Sequence, residues 1–183
     1  MPRTRIEMDR EAKRAEILSV AERRLRDGGY EALSVAAIAR ELGVAQNAVY
    51  WYFPSKDHLF VAALERLIRS IAGGKPRGRG LESKVLYFTD ELAGLAEVRA
   101  AMYDRARSSE VVAEFVGNLN ATWRRMLANA LASRIPEDEL DLAVDVLLST
   151  IQGTLLQGLA PKERKQVIRF ALSRLTESAP ASL

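Results

Sequence analysis

Gln46 and Asn47 stand just ahead of four consecutive aromatic residues, Tyr50-Trp51-Tyr52-Phe53, and Pro54-Ser55-Lys56 closes the run. Core aromatics recur at helical spacing, so a consecutive run must turn some of its members outward. On a helical wheel of residues 45–53, Ala45, Val49 and Phe53 share one face, the expected contact with a preceding helix. Asn47 and Trp51 point the opposite way, flanked by Ala48 and Tyr50, with Gln46 and Tyr52 nearer the buried side. Side-chain amides can pair bidentately with an adenine edge in a major groove. Alanine and aromatic edges can touch a thymine methyl, and a tyrosine hydroxyl can reach a phosphate. The outward face therefore carries groups suited to a nucleic-acid surface. An exposed helix gripping its neighbour with spare aromatics would carry the same residues, so position must decide between the two.

Other chemistries find little support. The chain has no cysteine, which removes disulfides, thiolate zinc sites and cysteine nucleophiles, and suits a reducing cytoplasm. His58 is the single histidine, and a metal site would need ligands that the chain lacks. The stretch GGKPRGRG at 73–80 follows no strand and lacks the Gly-Lys-Ser/Thr ending of a phosphate-binding loop. No paired-carboxylate motif stands out. An enzyme, a cofactor and a metal are accordingly not expected. The first residues contain no apolar stretch and no apolar run reaches ~18 residues, so neither a signal peptide nor a membrane span is expected. Charge is unevenly spread: residues 1–80 hold 15 of the 27 Lys/Arg and 10 of the 24 Asp/Glu, whereas the rest is net acidic. The basic excess thus lies in the half that contains the aromatic run.

The elements that must position these groups read as all-α. Alternating strand patterns are absent and the 3.6-residue period recurs almost everywhere. A first helix spans about 9–27, with Ile17, Leu18, Ala21 and Leu25 on one face and Gly28-Gly29 ending it. Ser34 is a plausible N-cap for a second helix, whose Val35, Ile38, Ala39 and Leu42 follow i, i+3, i+4, i+7 until Gly43. The third covers about 45–52 and ends before Pro54, and Ser55 can cap a fourth over 56–72. The glycine-rich 73–80 reads as a flexible connection. Five further helices are expected, at about 81–95, 97–107, 109–134, 137–158 and 162–177. Two short helices joined by a tight glycine turn, the second bearing the outward polar-aromatic face, form a helix-turn-helix.

Residues 17–65, ILSVAERRLRDGGYEALSVAAIARELGVAQNAVYWYFPSKDHLFVAALE, resemble the N-terminal domain of the tetracycline-repressor-like (TetR) transcriptional regulators. The matching marks are Gly29-Tyr30, Ser34-Val35, Ile38-Ala39, Gly43-Val44, Val49-Tyr50-x-Tyr52-Phe53 and Ser55-Lys56 followed by apolar residues. The resemblance implies a helix-turn-helix DNA-binding domain over 1–55 and a helical effector-binding and dimerisation domain over 56–183, joined by the fourth helix. It implies that Ser34 and Lys56 hold DNA phosphates, that Tyr50 and also Tyr52 clamp the backbone, and that Gln46, Asn47, Ala48 and Trp51 face the bases. His58 would lie at the surface near DNA, and Arg3 and Arg5 would precede the first helix as a frayed N-terminus or as a basic arm touching phosphate or a minor groove. Two departures stand out. Ala45, Asn47 and Ala48 replace the Ser, Gly or Thr common before the family's tyrosine, which removes a helix cap. Glu22 and Arg24 occupy positions usually apolar, which thins the core stripe.

The implied function is a cytoplasmic, ligand-responsive repressor that binds a palindromic double-stranded operator as a homodimer. Half-sites would lie about 34–36 Å apart, and a small, mostly apolar effector would release the DNA. Effector contacts would come from Phe88, Leu92, Tyr103, Phe115, Leu119, Trp123 and Met126, with Asn118, Thr122 or Gln152 as polar members. The same positions would serve as ordinary core. The two last helices are the most apolar, and Val144, Leu147, Leu148, Ile151, Leu155, Ile168 and Leu172 are expected at a dimer interface or in the core. A regulator that binds DNA without a small ligand, or that answers to a partner protein, fits the same sequence.

Overall fold

The computed structural model describes residues 5–177, and among these it forms nine helices and no strand. They are α1 (Arg5–Gly28), α2 (Val35–Glu41), α3 (Gln46–Tyr52), α4 (Lys56–Ala72), α5 (Leu81–Ala93), α6 (Ala96–Ala106), α7 (Glu110–Leu131), α8 (Glu137–Leu156) and α9 (Pro161–Glu177). The all-α expectation holds, and most helix ends fall within three residues of their expected places. The exception is α1, which starts four residues early. Its first turns carry no apolar stripe to read, yet they are rich in straight-chain Glu, Met, Lys and Arg, which favour helix. Arg5 is therefore the first residue of α1 rather than part of an arm before it. Arg3 lies outside the described residues.

The chain separates into two compact units, Met1–Gly73 with Glu97–Val116, and Gly74–Ala96 with Gly117–Leu183. They do not coincide with the expected 1–55 and 56–183. Helix α4 buries Leu59, Phe60, Ala63, Leu64 and Leu67 and packs chiefly on α1, so compactness carries it into the first unit.

In the first unit, α1 contributes Ile17, Leu18, Ala21 and Leu25 to the core, as its stripe predicted, and α2 adds Val35, Ile38 and Ala39. The two polar departures on α1 are used in ion pairs. Arg66 of α4 donates to Glu22 at 2.8 Å, and Arg24 donates to Glu41 of α2 at 3.0 Å, with Arg23 on the same carboxylate. Pairs this exposed each contribute at most about 1 kcal/mol, so they orient the helices more than they hold them.

In the second unit, Val85 and Leu86 of α5, Leu127 and Leu131 of α7, Ile135 of the α7–α8 connection, Ala143, Val144 and Leu147 of α8, and Ile168 and Leu172 of α9 form one apolar cluster. Four of the seven residues expected at a dimer interface or in the core belong to it. Val144, Leu147 and Ile168 have no exposed surface and Leu172 only 6%, so they pack within their own chain. Leu148 and Ile151 pack at the edge of the same cluster, and Leu155 is half-buried. At the rim, the buried Arg164 donates to Asp90 of α5 at 2.7 Å and to the Leu159 carbonyl at 3.1 Å.

Candidate nucleic-acid interface

Helix α3 has seven residues, too few to be stable as an isolated helix in water. It is held by its ends and by one buried stripe. Val49 is fully buried and Phe53, just past the helix, is 3% exposed. Burial of two such side chains contributes roughly 3–6 kcal/mol. The turn before α3 depends on Gly43, whose φ of 64° lies in the left-handed region that side chains disfavour. Around it the Val44 N–H donates to the Ala39 carbonyl at 3.0 Å and the Gly43 N–H to that of Arg40 at 3.3 Å, which closes α2 and redirects the chain. Ala45 is exposed, contrary to its place on the core face of the wheel. Its backbone is extended (φ −68°, ψ 144°), so the helical wheel does not yet apply at the N-cap. As the sequence implied, no side chain caps α3.

The outward face is formed as expected. Gln46, Asn47 and Ala48 are exposed, Tyr50 is 39% exposed, and Trp51 is 60% exposed, while Tyr52 is half-buried. Flanking α3 are two serine-capped helices. The Ser34 hydroxyl oxygen accepts from the Ala37 N–H at 3.2 Å and keeps its own proton to donate outward. The Ser55 oxygen likewise accepts from the His58 N–H at 3.2 Å and lies 2.9 Å from His58 Nδ1, so the imidazole is tied to its own helix start. Lys56 Nζ lies 3.9 Å above the Tyr30 ring and 3.8 Å from the exposed Glu31 carboxylate.

Below Lys56 lies a polar network. Asp57 accepts from the Tyr30 hydroxyl at 2.7 Å and from Arg105 Nη2 and Nε at 2.7 and 3.3 Å. Burial pushes the Asp57 carboxyl up, but hydrogen bonds from Arg105, Tyr30 and Ser109 outweigh it and bring it down to about 2. Burial and the Asp57 hydrogen bond push the Tyr30 phenol up to about 12. The tyrosine edge packs on Phe60 of α4, with ring centroids 4.9 Å apart. This network ties the start of α4 to the α1–α2 connection and to α6.

Sequence reasoning missed two residues beside α3. The Arg10 guanidinium of α1 lies 4.2 Å from the centroid of the Trp51 ring, and that of Arg14 lies 5.2 Å from Phe53. Arg10 and Arg14 are i, i+4 on α1, a spacing that could have marked a shared face. It also missed Arg105, whose pairing with Asp57 across 48 positions leaves no local signal.

The expected effector residues divide between the two compact units. Tyr103, 43% exposed, and Phe115, half-buried, belong to the first. Phe88, Leu92, Leu119 and Trp123 are half-buried in the second, where Asn118, Thr122, Met126 and Gln152 are exposed. The Phe88 and Trp123 rings meet edge to face at 5.1 Å. A shallow groove on α8 and α9 is lined by Asp145, Val146, Ser149, Thr150, Gly153, Thr154, Gln157, Leu159 and Val167, none of them in the expected effector set.

A helix-turn-helix with a buried apolar side, an outward amide and aromatic face and flanking capped helix starts defines a DNA-binding regulator. Residues 17–63 match the bacterial regulatory proteins of the tetR family. The transcriptional repressor KstR of Rhodococcus jostii is 38% identical over 144 residues, covering 70% of this chain and 66% of that protein. KstR of Mycolicibacterium smegmatis is 32% identical over 174 residues, covering 84% and 82%. Among solved structures, a transcriptional regulator from Rhodococcus sp. Rha1 superposes with a TM-score of 0.71 at 22% identity, covering 93% of this chain and 99% of that one. A transcriptional regulator from Saccharomonospora viridis, solved in complex with choline, gives 0.67 at 16% identity, covering 89% and 96%. The chain belongs to the tetR family of bacterial regulators. It is a DNA-binding regulator of transcription and not an enzyme.

Proposed function

We propose that the protein is a cytoplasmic, homodimeric transcriptional repressor that reads a palindromic operator through α3 and leaves it when a small, mostly apolar effector binds. The observation that carries the reading is the two-sided α3, with Val49 buried and Gln46, Asn47 and Ala48 exposed, set in the chain between the serine-capped starts of α2 and α4. Gln46, Asn47 and Ala48 face bases. Ser34, Tyr50, Tyr52 and Lys56 hold the backbone, with residues 1–55 as the reading part and 56–183 serving dimerisation and effector binding. The relatives named as repressors support the sign of regulation. Among the described residues, no helix is long and apolar enough to cross a membrane.

The dimer forms on the exposed apolar face of α8 and α9. Leu142 and Val146 are i, i+4 on α8, Val167 and Phe170 are i, i+3 on α9, and Val146 and Val167 line one groove. Two copies joined there present two recognition helices, and half-sites about 34–36 Å apart multiply the specificity of one. Phe88, Leu92, Leu119, Trp123 and Met126 supply the apolar contacts to the effector. The complex of the Saccharomonospora viridis neighbour with choline supports a small-molecule ligand in this fold. Release requires only that the effector bind better to the conformer whose α3 spacing misses the half-sites, and its differential affinity limits the shift.

The test compares two variants on a duplex from the chain's own upstream region and on a scrambled duplex. Asn47→Ala is expected to reduce the preference between them by ~1–3 kcal/mol. Lys56→Ala is expected to weaken both alike and lower the salt slope by about 1. Unchanged preference in Asn47→Ala would remove α3's outward face from the reading role.

A further inference from the structure

We infer that Arg10 of α1 is a DNA-phosphate contact and that Trp51 serves as the platform that aims it, rather than as a base reader. The inference rests on the DNA-binding reading of α3 and revises the role that the sequence implied for Trp51.

The Arg10 guanidinium stacks on Trp51 at 4.2 Å, within the range of a cation–π contact. The indole is itself braced edge to face by Tyr52, with centroids 4.8 Å apart at 89°. Stacking uses the face of the guanidinium and leaves its N–H donors free in the plane. Among the described residues, the contact shown for Arg10 is this ring, with no carboxylate or carbonyl accepting from it. Five other arginines of the unit are paired with carboxylates: Arg23 and Arg24 with Glu41, Arg26 and Arg66 with Glu22, Arg105 with Asp57. A cation that is held in place, exposed and undischarged beside a recognition helix is poised for an anion.

Location favours phosphate over a base edge. Recognition helices reach bases chiefly through their N-terminal residues, here Gln46, Asn47 and Ala48. Trp51 lies in the last turn of α3, and one side of its ring is covered by Arg10, which narrows its approach to a base. A planar fork at the rim of the groove matches two oxygens of a backbone phosphate. Removing Trp51 would free the arginine to sample many rotamers without removing its charge.

The experiment measures binding of the full chain, Arg10→Ala, Trp51→Ala and the double variant to the upstream duplex and to a scrambled duplex across a salt series. Circular dichroism melts confirm folding. Arg10→Ala is expected to lose roughly tenfold on both duplexes and to lower the salt slope by about 1. Trp51→Ala is expected to weaken both duplexes without changing the preference, and to add less than twofold in the Arg10→Ala background. Trp51→Phe keeps a ring and is expected to keep most of the affinity, which serves if the alanine variant folds poorly. An unchanged slope in Arg10→Ala, additive losses, or a shifted preference in Trp51→Ala at intact slope would each overturn the inference. Wild-type binding separates the two levels: salt-insensitive failure on both duplexes would sink the DNA reading and this inference together. Normal wild-type binding with a silent Arg10→Ala would sink the inference alone.

Discussion

Arg105→Ala removes the cation that discharges Asp57 beneath the start of α4. The Asp57 side chain is only 16% exposed and its two oxygens take both Arg105 bonds, so the variant leaves a largely buried carboxylate with Tyr30 and Ser109 alone. A fall in its pKa from 3.8 to about 2 corresponds to roughly 2 kcal/mol of native stability. Arg105 is about one-third exposed, and solvent screening reduces the expected loss to roughly 1–2 kcal/mol. The sign with pH follows from the direction of the shift. A carboxyl held below its unfolded value stabilises above that value and loses the contribution as pH falls through the folded one. The gap between wild type and Arg105→Ala is thus full at pH 7, about half that at pH 3, and closes only below pH ~2. Urea unfolding followed by tryptophan fluorescence at pH 7 and pH 3 reads both values. A gap of equal size at the two pH values would mean that Arg105 acts by packing, and no gap at pH 7 would mean that the ion pair contributes nothing.

Other substitutions probe separate parts of the fold. Ser34→Ala removes the cap on α2 and is expected to cost about 1 kcal/mol in urea unfolding, with a further loss of DNA affinity if the hydroxyl also donates to a phosphate. Leu147→Ala opens a cavity in the second unit and is expected to cost ~2–5 kcal/mol in the same assay, with the sedimentation state of the folded protein unchanged. Phe170→Asp, at a side chain 62% exposed, is expected to do the reverse. Sedimentation would show dissociation while the far-ultraviolet dichroism keeps its helical form, and a persistent dimer would place the interface on another face.

The parts of this protein that were legible in its sequence are those encoded locally. Ser34 and Ser55 announce helix starts because a short hydroxyl can take an orphan N–H, and Gly43 announces the turn because it alone tolerates the left-handed backbone there. Val49 and Phe53 fell on the core side because a 3.6-residue period separates them from Asn47 and Trp51. The misplacement lies where the wheel stops, and alternatives stayed open where the second surface is remote. Ala45 precedes the helix whose wheel it was placed on. Val144, Leu147 and Ile168 are apolar enough for an interface, but α5 and α7 cover them, and no pattern within α8 or α9 reveals which neighbour does so. The exposed Leu142, Val146 and Phe170 are the residues left over after that packing. Arg10 on Trp51 and Arg105 on Asp57 join positions more than 40 apart, so only the folded chain brings them together.

The most direct test of the account is wild-type binding to a duplex from the protein's own upstream region against a scrambled duplex, at two salt concentrations. The account predicts preferential binding to the upstream duplex that persists at the higher salt, because base contacts from α3 add to the salt-sensitive phosphate term. Equal affinity for both duplexes, lost in parallel as salt rises, would contradict it and reduce the first unit to a basic surface that does not read sequence.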